Sequence, residues 1–229
     1  MKNLRLFSCT SIAAVFLFFT SSCVRETSDN VNQDKIFTEY ELFYNANEDK
    51  TYARATFRFS NTLGTKLELA EGSEVFFEGD LLTFNEVLAY YEREYAGLVD
   101  TGSFEWIDLD GNVFRNAVQI NEIQYPDGID TIGRTASFEI TWTGDELAND
   151  ELVTVTVNGE NEGDAKIFVT NDVGANSIIL DLDKLQGVGA GPGKIWMDRS
   201  YSPVLQEETS AGGRITGRYR PVNLDVIFN

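Results

Sequence analysis

Apolar and polar residues alternate with a period of two along most of the chain from residue 36 onward, and this pattern constrains the fold most. It is clear over 37–43 and 51–59. Successive side chains of a strand point to opposite faces of a sheet, so the pattern predicts half-buried β-strands. Asp110-Gly111, between two such segments, predicts a tight hairpin. The stretch 85–99 permits either a strand or a helix. The sequence therefore predicts an all-β fold.

The segment 126–131, Pro-Asp-Gly-Ile-Asp-Thr, interrupts this alternation. Strand-like segments resume after it, which places a boundary between 36–128 and 132–229. Each segment is close to the ~100 residues of an immunoglobulin-like β-sandwich and contains about seven short strands separated by turn residues. We therefore expect two immunoglobulin-like sandwiches in tandem. A single large sandwich or barrel is the alternative, since all-β domains can reach ~250 residues.

The first residues have the features of a secretory signal. Lys2 and Arg5 precede an apolar run over 6–19, which is followed by small residues and Cys23. A basic start, a short apolar run and small residues are typical of an export signal over 1–22. The run is shorter than the ~20 apolar residues that a membrane-spanning helix needs.

The order Ser21-Ser22-Cys23 resembles the lipobox of bacterial lipoproteins, although Thr20 stands where that family usually has Leu. The resemblance implies that Cys23 becomes the first mature residue and is acylated. Val24 after the cysteine implies the outer membrane of the cell envelope. An ordinary signal peptide with an incidental cysteine and an uncleaved N-terminal anchor are the alternatives. Residues 23–35 lack apolar periodicity and are expected to form a lipidated polar tether.

Several strand segments also resemble a known group of proteins. Together with the Cys23 signal, the stretches 40–45, 50–55 and 138–144 leading into 153–157 look like the uncharacterised immunoglobulin-like lipoproteins of Bacteroidetes bacteria. The resemblance covers nearly the whole chain and implies a fold and a location. Its motifs mark strands and hairpins, so no catalytic residues are carried over.

Composition restricts the possible chemistry. The chain has 229 residues, a formal charge of −19, no His, and two Cys, both in the first 23 positions. Its acidity argues against a nucleic-acid partner, which needs a basic surface. Cleavage before Cys23 would leave no free thiol, so disulfides, Cys-type zinc sites and Cys nucleophiles are not expected. Because the chain has no His, a Ser-His-Asp triad is not expected either. We expect no cofactor and no enzymatic activity. A glycoside hydrolase that uses two carboxylates is the remaining catalytic alternative.

Loops of the second predicted domain carry oxygen ligands of the kind that Ca²⁺ prefers. The weak candidates for a structural calcium site are Asp145, Asp150 and Asp172. The alternative is that these are solvated acidic loops in a strongly acidic chain.

Two groups of side chains are candidates for ligand binding. Trp196 alternates with the polar set of its strand and lies close to Tyr201 in the sequence, so the pair could stack on a sugar or enter an interface. Arg214, Arg218 and Arg220 have even spacing and point one way if Gly217 makes no bulge. Packing of Trp196 against a neighbouring segment and a solvated arginine face are the alternatives.

These observations predict a lipid-anchored cell-envelope protein that binds or scaffolds and has no catalytic activity. Its partners would be the membrane, through the acyl chains, and an envelope protein or glycan. A surface glycan-binding lipoprotein that uses exposed aromatic residues is the alternative function.

Overall fold

The computed structural model describes residues 26–159 and 165–229, and over these the predicted all-β fold is confirmed. One short helix, α1, covers Leu182–Leu185, and two 3-10 turns cover Ser28–Asn30 and Gln33–Lys35. The strands are β1 (Glu26–Thr27), β2 (Ile36–Asn45), β3 (Lys50–Phe59), β4 (Lys66–Glu68), β5 (Glu74–Phe77), β6 (Asp80–Leu81), β7 (Thr83–Asn85), β8 (Tyr90–Ala96), β9 (Thr101–Ile107), β10 (Val113–Gln119), β11 (Thr131–Ile132), β12 (Phe138–Thr141), β13 (Glu151–Gly159), β14 (Lys166–Thr170), β15 (Ser177–Leu180), β16 (Gly191–Tyr201), β17 (Gly213–Arg220) and β18 (Leu224–Phe228).

Three sheets make up the described structure. The large sheet has 12 strands, in the order β1-β4-β3-β2-β17-β16-β13-β14, with β8 and β7 added beside β3 and with β18 and β11 added beside β16. The others are a four-stranded sheet, β10-β9-β5-β6, and a two-stranded sheet, β12-β15. The smaller sheets contribute Trp106, Ile140 and Leu180 to the same buried apolar cluster as the large one.

The large sheet runs through both predicted domains. Strand β2 pairs in parallel with β17, from Thr38 beside Gly213 to Asn45 beside Arg220. The predicted boundary at 129–131 therefore does not separate two sheets, and the apolar cluster also contains residues from both sides of it. This pairing is what the single-sandwich alternative leads one to expect. The alternation of side chains marks strands, but it does not reveal which strands are neighbours.

Aromatic rings hold the four-stranded sheet against β2 and β3. The ring of Tyr40 stacks on Phe104 with centroids 5.0 Å apart, and Phe57 lies 5.1 Å from Trp106. The indole N–H of the fully buried Trp106 donates to Ser73 Oγ at 3.0 Å. Both β2 and β3 therefore present alternate side chains to this core and the intervening ones to the opposite face.

The sequence predicted two local elements, a hairpin at Asp110-Gly111 and either a strand or a helix over 85–99. The Asp110-Gly111 hairpin between β9 and β10 is confirmed, with Gly111 at φ 80° and Asp108 Oδ1 accepting from the Asn112 N–H at 2.7 Å. Within 85–99 the structure has the strand β8, which begins directly after a turn at 86–89.

The predicted tether requires a correction for the part that the structure describes. Residues 26–35 are folded onto the body, because β1 pairs in parallel with β4 and the Ser210 N–H donates to Asp34 Oδ1 at 2.9 Å. Ser28 is fully buried, and its Oγ accepts from the Ala70 N–H at 2.9 Å. Polar residues attach this segment through hydrogen bonds, so no apolar periodicity signals its packing.

The predicted signal over 1–22 and the acylation site Cys23 lie outside the described residues. Within 26–159 and 165–229, no helix is both long enough and apolar enough to cross a membrane.

Candidate functional site

The face of the large sheet opposite the aromatic core carries a network of ion pairs, and we call it the outer face. Strand pairing aligns its side chains in rows across β17, β2, β3 and β8, because alternate residues of each strand point the same way. Its residues on these strands include Glu39, Glu41, Phe43, Tyr52, Arg54, Thr56, Arg58, Tyr90, Glu92, Arg214, Thr216, Arg218 and Arg220.

Each carboxylate that β2 contributes to the outer face bridges an arginine of β17 and an arginine of β3. The pairs are Arg214 Nη2–Glu39 Oε1 (2.7 Å), Arg58 Nε–Glu39 Oε2 (3.1 Å), Arg218 Nη2–Glu41 Oε1 (2.9 Å) and Arg54 Nη1–Glu41 Oε2 (3.3 Å). The carboxylates thus cross-link three neighbouring strands and fix the positions of the guanidinium groups.

Aromatic rings lie under these arginines. The guanidinium of Arg54 is 4.6 Å from the ring centroid of Tyr52 and 5.5 Å from that of Tyr90, and Arg218 lies 3.9 Å above Phe43. Cation–π attraction favours a guanidinium that lies over the face of a ring. The outer face is therefore ordered by both ion pairs and rings.

A shallow depression of about 240 Å³ opens in this face. Its volume is below the ~300–1,000 Å³ of pockets for drug-sized ligands, so it suits one small polar unit of a larger ligand. The lining residues are Glu39, Tyr40, Glu41, Arg54, Thr56, Tyr90, Arg214 and Thr216.

Protonation states in the depression favour hydrogen bonding. Burial raises the pKa of Tyr90, Arg54 lowers it and Glu92 raises it again, with a raised pKa as the net result. The Tyr90 hydroxyl donates to Glu92 Oε2 at 3.3 Å. Burial opposes the charge on Arg54, but the carboxylates of Glu92 and Glu41 outweigh it and raise the pKa of this guanidinium. The depression therefore offers donors and acceptors side by side.

The structure places Arg214, Arg218 and Arg220 together on the outer face, as the sequence predicted. The register of β17 against β2 is continuous through Gly217, without a bulge. Each arginine has a carboxylate partner in the chain; Arg220 holds Asp198 at 2.9 and 2.6 Å. Their charge is therefore balanced internally, and a partner would meet a patterned surface rather than a free positive patch.

The predicted Trp196–Tyr201 surface needs a correction. The two residues are five positions apart on β16, so they point to opposite faces of the sheet. Trp196 is half-buried on the outer face, where it is paired with Thr156 of β13. Tyr201 shares the side of Met197 and lines a separate 160 Å³ cavity. One ligand ring could not stack on both.

The three calcium candidates are not gathered into one site. Over residues 26–159 and 165–229, no group of three or more His, Cys, Asp or Glu is placed to hold a metal ion. The carbonyl of Asp145 accepts from Arg199 Nη1 at 2.9 Å, Asp150 takes φ 63° at a turn, and the carbonyl of Asp172 accepts from the Ala175 N–H at 3.0 Å. The backbones of Asp145 and Asp172 thus take part in contacts within the protein.

A buried ion pair was not identified from the sequence. The side chains of Arg199 and Glu151 are 3% and 0% exposed and are joined by hydrogen bonds of 3.0 and 2.7 Å. The sequence pattern gave partial evidence for it, because Arg199 alternates in step with the apolar residues Ile195 and Met197 and so points to the same face of the strand. The carboxylates of β2 and the arginines of β3 could have been found in the same way, as opposite charges at alternate positions of neighbouring strands.

Comparison with known proteins gives little further information. No protein-family model and no curated protein matches the chain. Among solved structures, the chain is similar to one titled "Crystal structure of tetra-tandem repeat in extending region of large adhesion protein", at 12% identity and a TM-score of 0.27. That match covers 85% of this chain and 49% of the other, so this chain spans about half the length of the adhesion-protein structure. The similarity is too low to support an argument about fold or function.

Proposed function

We propose that this protein is a lipid-anchored binding or scaffolding protein of the cell envelope and that its outer face binds a glycan. The observation that carries the proposal is the depression in that face, where arginines, glutamates and a tyrosine converge. In a chain with a net charge of −19, this face gathers five of the arginines with their carboxylate partners.

The chemistry of the depression matches that of a sugar. Sugar hydroxyls both donate and accept hydrogen bonds, and here the Glu41 carboxylate accepts while the Arg54 and Arg214 guanidiniums donate. Hydrogen bonds to charged groups are stronger than those between neutral groups. Tyr90 adds an aromatic ring, which presents an apolar body and a polar tip. The ion pairs already fix these groups in place, which lowers the entropy cost of binding.

A glycan array with wild type and two arginine variants tests this proposal. Arg214→Ala removes a guanidinium from the depression and is expected to weaken glycan binding at least about tenfold, since a charged hydrogen bond contributes about 1.5–3 kcal/mol. Arg115→Ala is the matched control: both side chains are about 60% exposed, and both form an ion pair of 2.7 Å with a glutamate, Arg115 on the four-stranded sheet.

The array has two outcomes that contradict the proposal. One is the absence of any glycan bound by wild type. The other is that Arg214→Ala binds the glycan no more weakly than Arg115→Ala does, which would mean that Arg214 makes no specific contact with the ligand.

The proposed anchor rests on the signal over 1–22 and on Cys23. Labelled palmitate should enter wild type and Cys9→Ala, because Cys9 leaves with the signal, and should not enter Cys23→Ala. The measurement is radioactivity in the immunoprecipitated protein from cells that export it. Equal label in the Cys23→Ala variant would contradict acylation at this position.

A further inference from the structure

One end of the large sheet carries apolar side chains on the tips of its loops. Leu63 is 93% exposed and Val87 is 91% exposed, and Leu88 and Phe59 are exposed by 51% and 42%. We call these four residues the apolar rim. Phe59 is the last residue of β3, and Leu63 lies in the loop over 60–65 that follows it. Val87 and Leu88 lie in the turn over 86–89. Leu63 and Val87 are more exposed than any other large apolar side chain among the described residues.

Strand pairing places both connections at the same end of the sheet. Ile36, the first residue of β2, lies beside Phe59, the last residue of β3. Strand β8 runs antiparallel to β3, with Tyr91 beside Ala55, so the turn before β8 extends toward that same end. Lys66 Nζ donates to the Leu88 carbonyl at 2.7 Å and joins the turn to the strand that follows the loop.

The N-terminal segment enters the sheet from this end as well. Strand β1 is parallel to β4, with Glu26 beside Leu67, and β4 is antiparallel to β3, with Leu67 beside Phe57. Glu26 is therefore the end of β1 that lies nearer the apolar rim. Cys23 lies outside the described residues, but only three peptide units separate it from Glu26, so its Cα is within ~11 Å of the Glu26 Cα.

We propose that the apolar rim contacts the lipid bilayer into which the acyl chains of Cys23 insert. This inference rests on the proposed lipid anchor. Only two residues lie between Cys23 and Glu26, and residues 26–35 are folded onto the body, so the connection is too short to hold the body away from the bilayer. The end nearest the anchor is the one that carries Leu63 and Val87. Moving those side chains out of water into the interfacial layer is favourable in proportion to the apolar area removed.

The contact would also orient the binding face. Residues 39–41 of β2 are three to five positions from Ile36, which places the depression ~10–17 Å from the rim along the strand. The strands would then stand upright on the membrane, with the outer face directed sideways. A glycan lying close to the membrane surface could reach it in that orientation.

Site-specific fluorescence on the acylated protein in vesicles tests this inference. Cys9 leaves with the signal and the sulfur of Cys23 is acylated, so the mature chain has no free thiol. Leu63→Cys and Val87→Cys therefore each provide one site for an environment-sensitive fluorophore. Val222→Cys is the matched control, since Val222 is 57% exposed and follows Arg220, which is paired with Asn45 at the far end of β2. Nine residues of strand place that end ~30 Å from the rim.

In phosphatidylcholine vesicles with brominated acyl chains, the labels at 63 and 87 should be quenched at least twofold and the label at 222 should be unchanged. Protein that floats with the vesicles but shows no quenching at 63 and 87 would contradict contact between the apolar rim and the bilayer, and it would still support the lipid anchor. Protein that does not float with the vesicles would contradict both the lipid anchor and the contact of the apolar rim with the bilayer. Equal quenching at all three positions would also contradict an oriented contact.

Discussion

Replacing Arg199 by methionine is expected to lower the free energy of unfolding by about 3–5 kcal/mol, because it leaves the buried carboxylate of Glu151 without its counter-charge. Both side chains are almost fully buried, and the guanidinium also donates to the carbonyls of Glu122, Asp145 and Glu146 at 3.3, 2.9 and 3.2 Å. Arg199 thus joins the segment after β10 to the loop before β13. Its loss should affect both parts of the chain at once.

Urea denaturation followed by circular dichroism measures this effect. The double variant Arg199→Met, Glu151→Leu should recover part of the loss, because it removes the unpaired buried charge. Lys50→Met breaks an exposed pair with Glu94, with side chains 45% and 48% exposed, and should cost less than about 1 kcal/mol. A cost for Arg199→Met as small as that of Lys50→Met would contradict the buried network.

The same pair predicts a dependence of stability on pH. Burial opposes ionisation of Glu151, but hydrogen bonds from Arg199, the Ala148 N–H and Asn121 outweigh it, so the pKa of Glu151 lies below its ordinary value of 4.5. A group whose pKa is lower in the folded state contributes stability above its unfolded pKa, here about 4.5, and loses it as the pH falls through the folded pKa. This acid-sensitive contribution should be absent from Glu151→Gln.

Replacing Gly217 by alanine is the second change with a large expected effect, about 3 kcal/mol or more of lost stability. A Cβ at this position would lie 1.8 Å from the Gln119 carbonyl oxygen and 3.2 Å from Val118 Cγ2. The first neighbour is a backbone atom, so β10 and β17 would have to move apart. Gly217 is therefore required by close approach of the two strands, rather than by a bulge.

This substitution tests how the two halves of the chain meet. Strand β10 precedes the segment 126–131 and β17 follows it, so the contact at Gly217 exists only if both halves pack together as described. Gly133→Ala is the control, since its nearest neighbour would be Asn229 Oδ1 at 3.7 Å. Thermal unfolding should show a lower melting temperature for Gly217→Ala and a change within error for Gly133→Ala. Equal values would contradict the packing of β10 on β17.

Sequence patterns predicted the local elements well because strand alternation and turn chemistry are local properties. The alternation over 37–43 and 51–59 identified β2 and β3, and Asp110-Gly111 identified the hairpin of β9 and β10. Even spacing correctly placed Arg214, Arg218 and Arg220 on one face. Parity along β16 separates Trp196 from Tyr201, so their joint surface could have been rejected from the sequence.

Long-range contacts could not be predicted in the same way. The parallel pairing of β2 with β17 joins residues that are 175 positions apart in the chain, as with Thr38 and Gly213. Alternation carries no information about which partner a strand selects. The attachment of 26–35 depends on specific polar contacts, such as that between Ser210 and Asp34, which have no periodic signature. The depression likewise exists only because β17, β2, β3 and β8 are neighbours.

The binding site can be located most directly by nuclear magnetic resonance, through the side-chain Nε–Hε signals of the arginines. The protein would be titrated with the oligosaccharide that binds most strongly on the array. We expect the signals of Arg54 and Arg214 to shift together with increasing ligand, while those of Arg93 and Arg115 stay unchanged. Shifts at Arg93 or Arg115 without any at Arg54 and Arg214 would contradict a glycan site on the outer face of the large sheet.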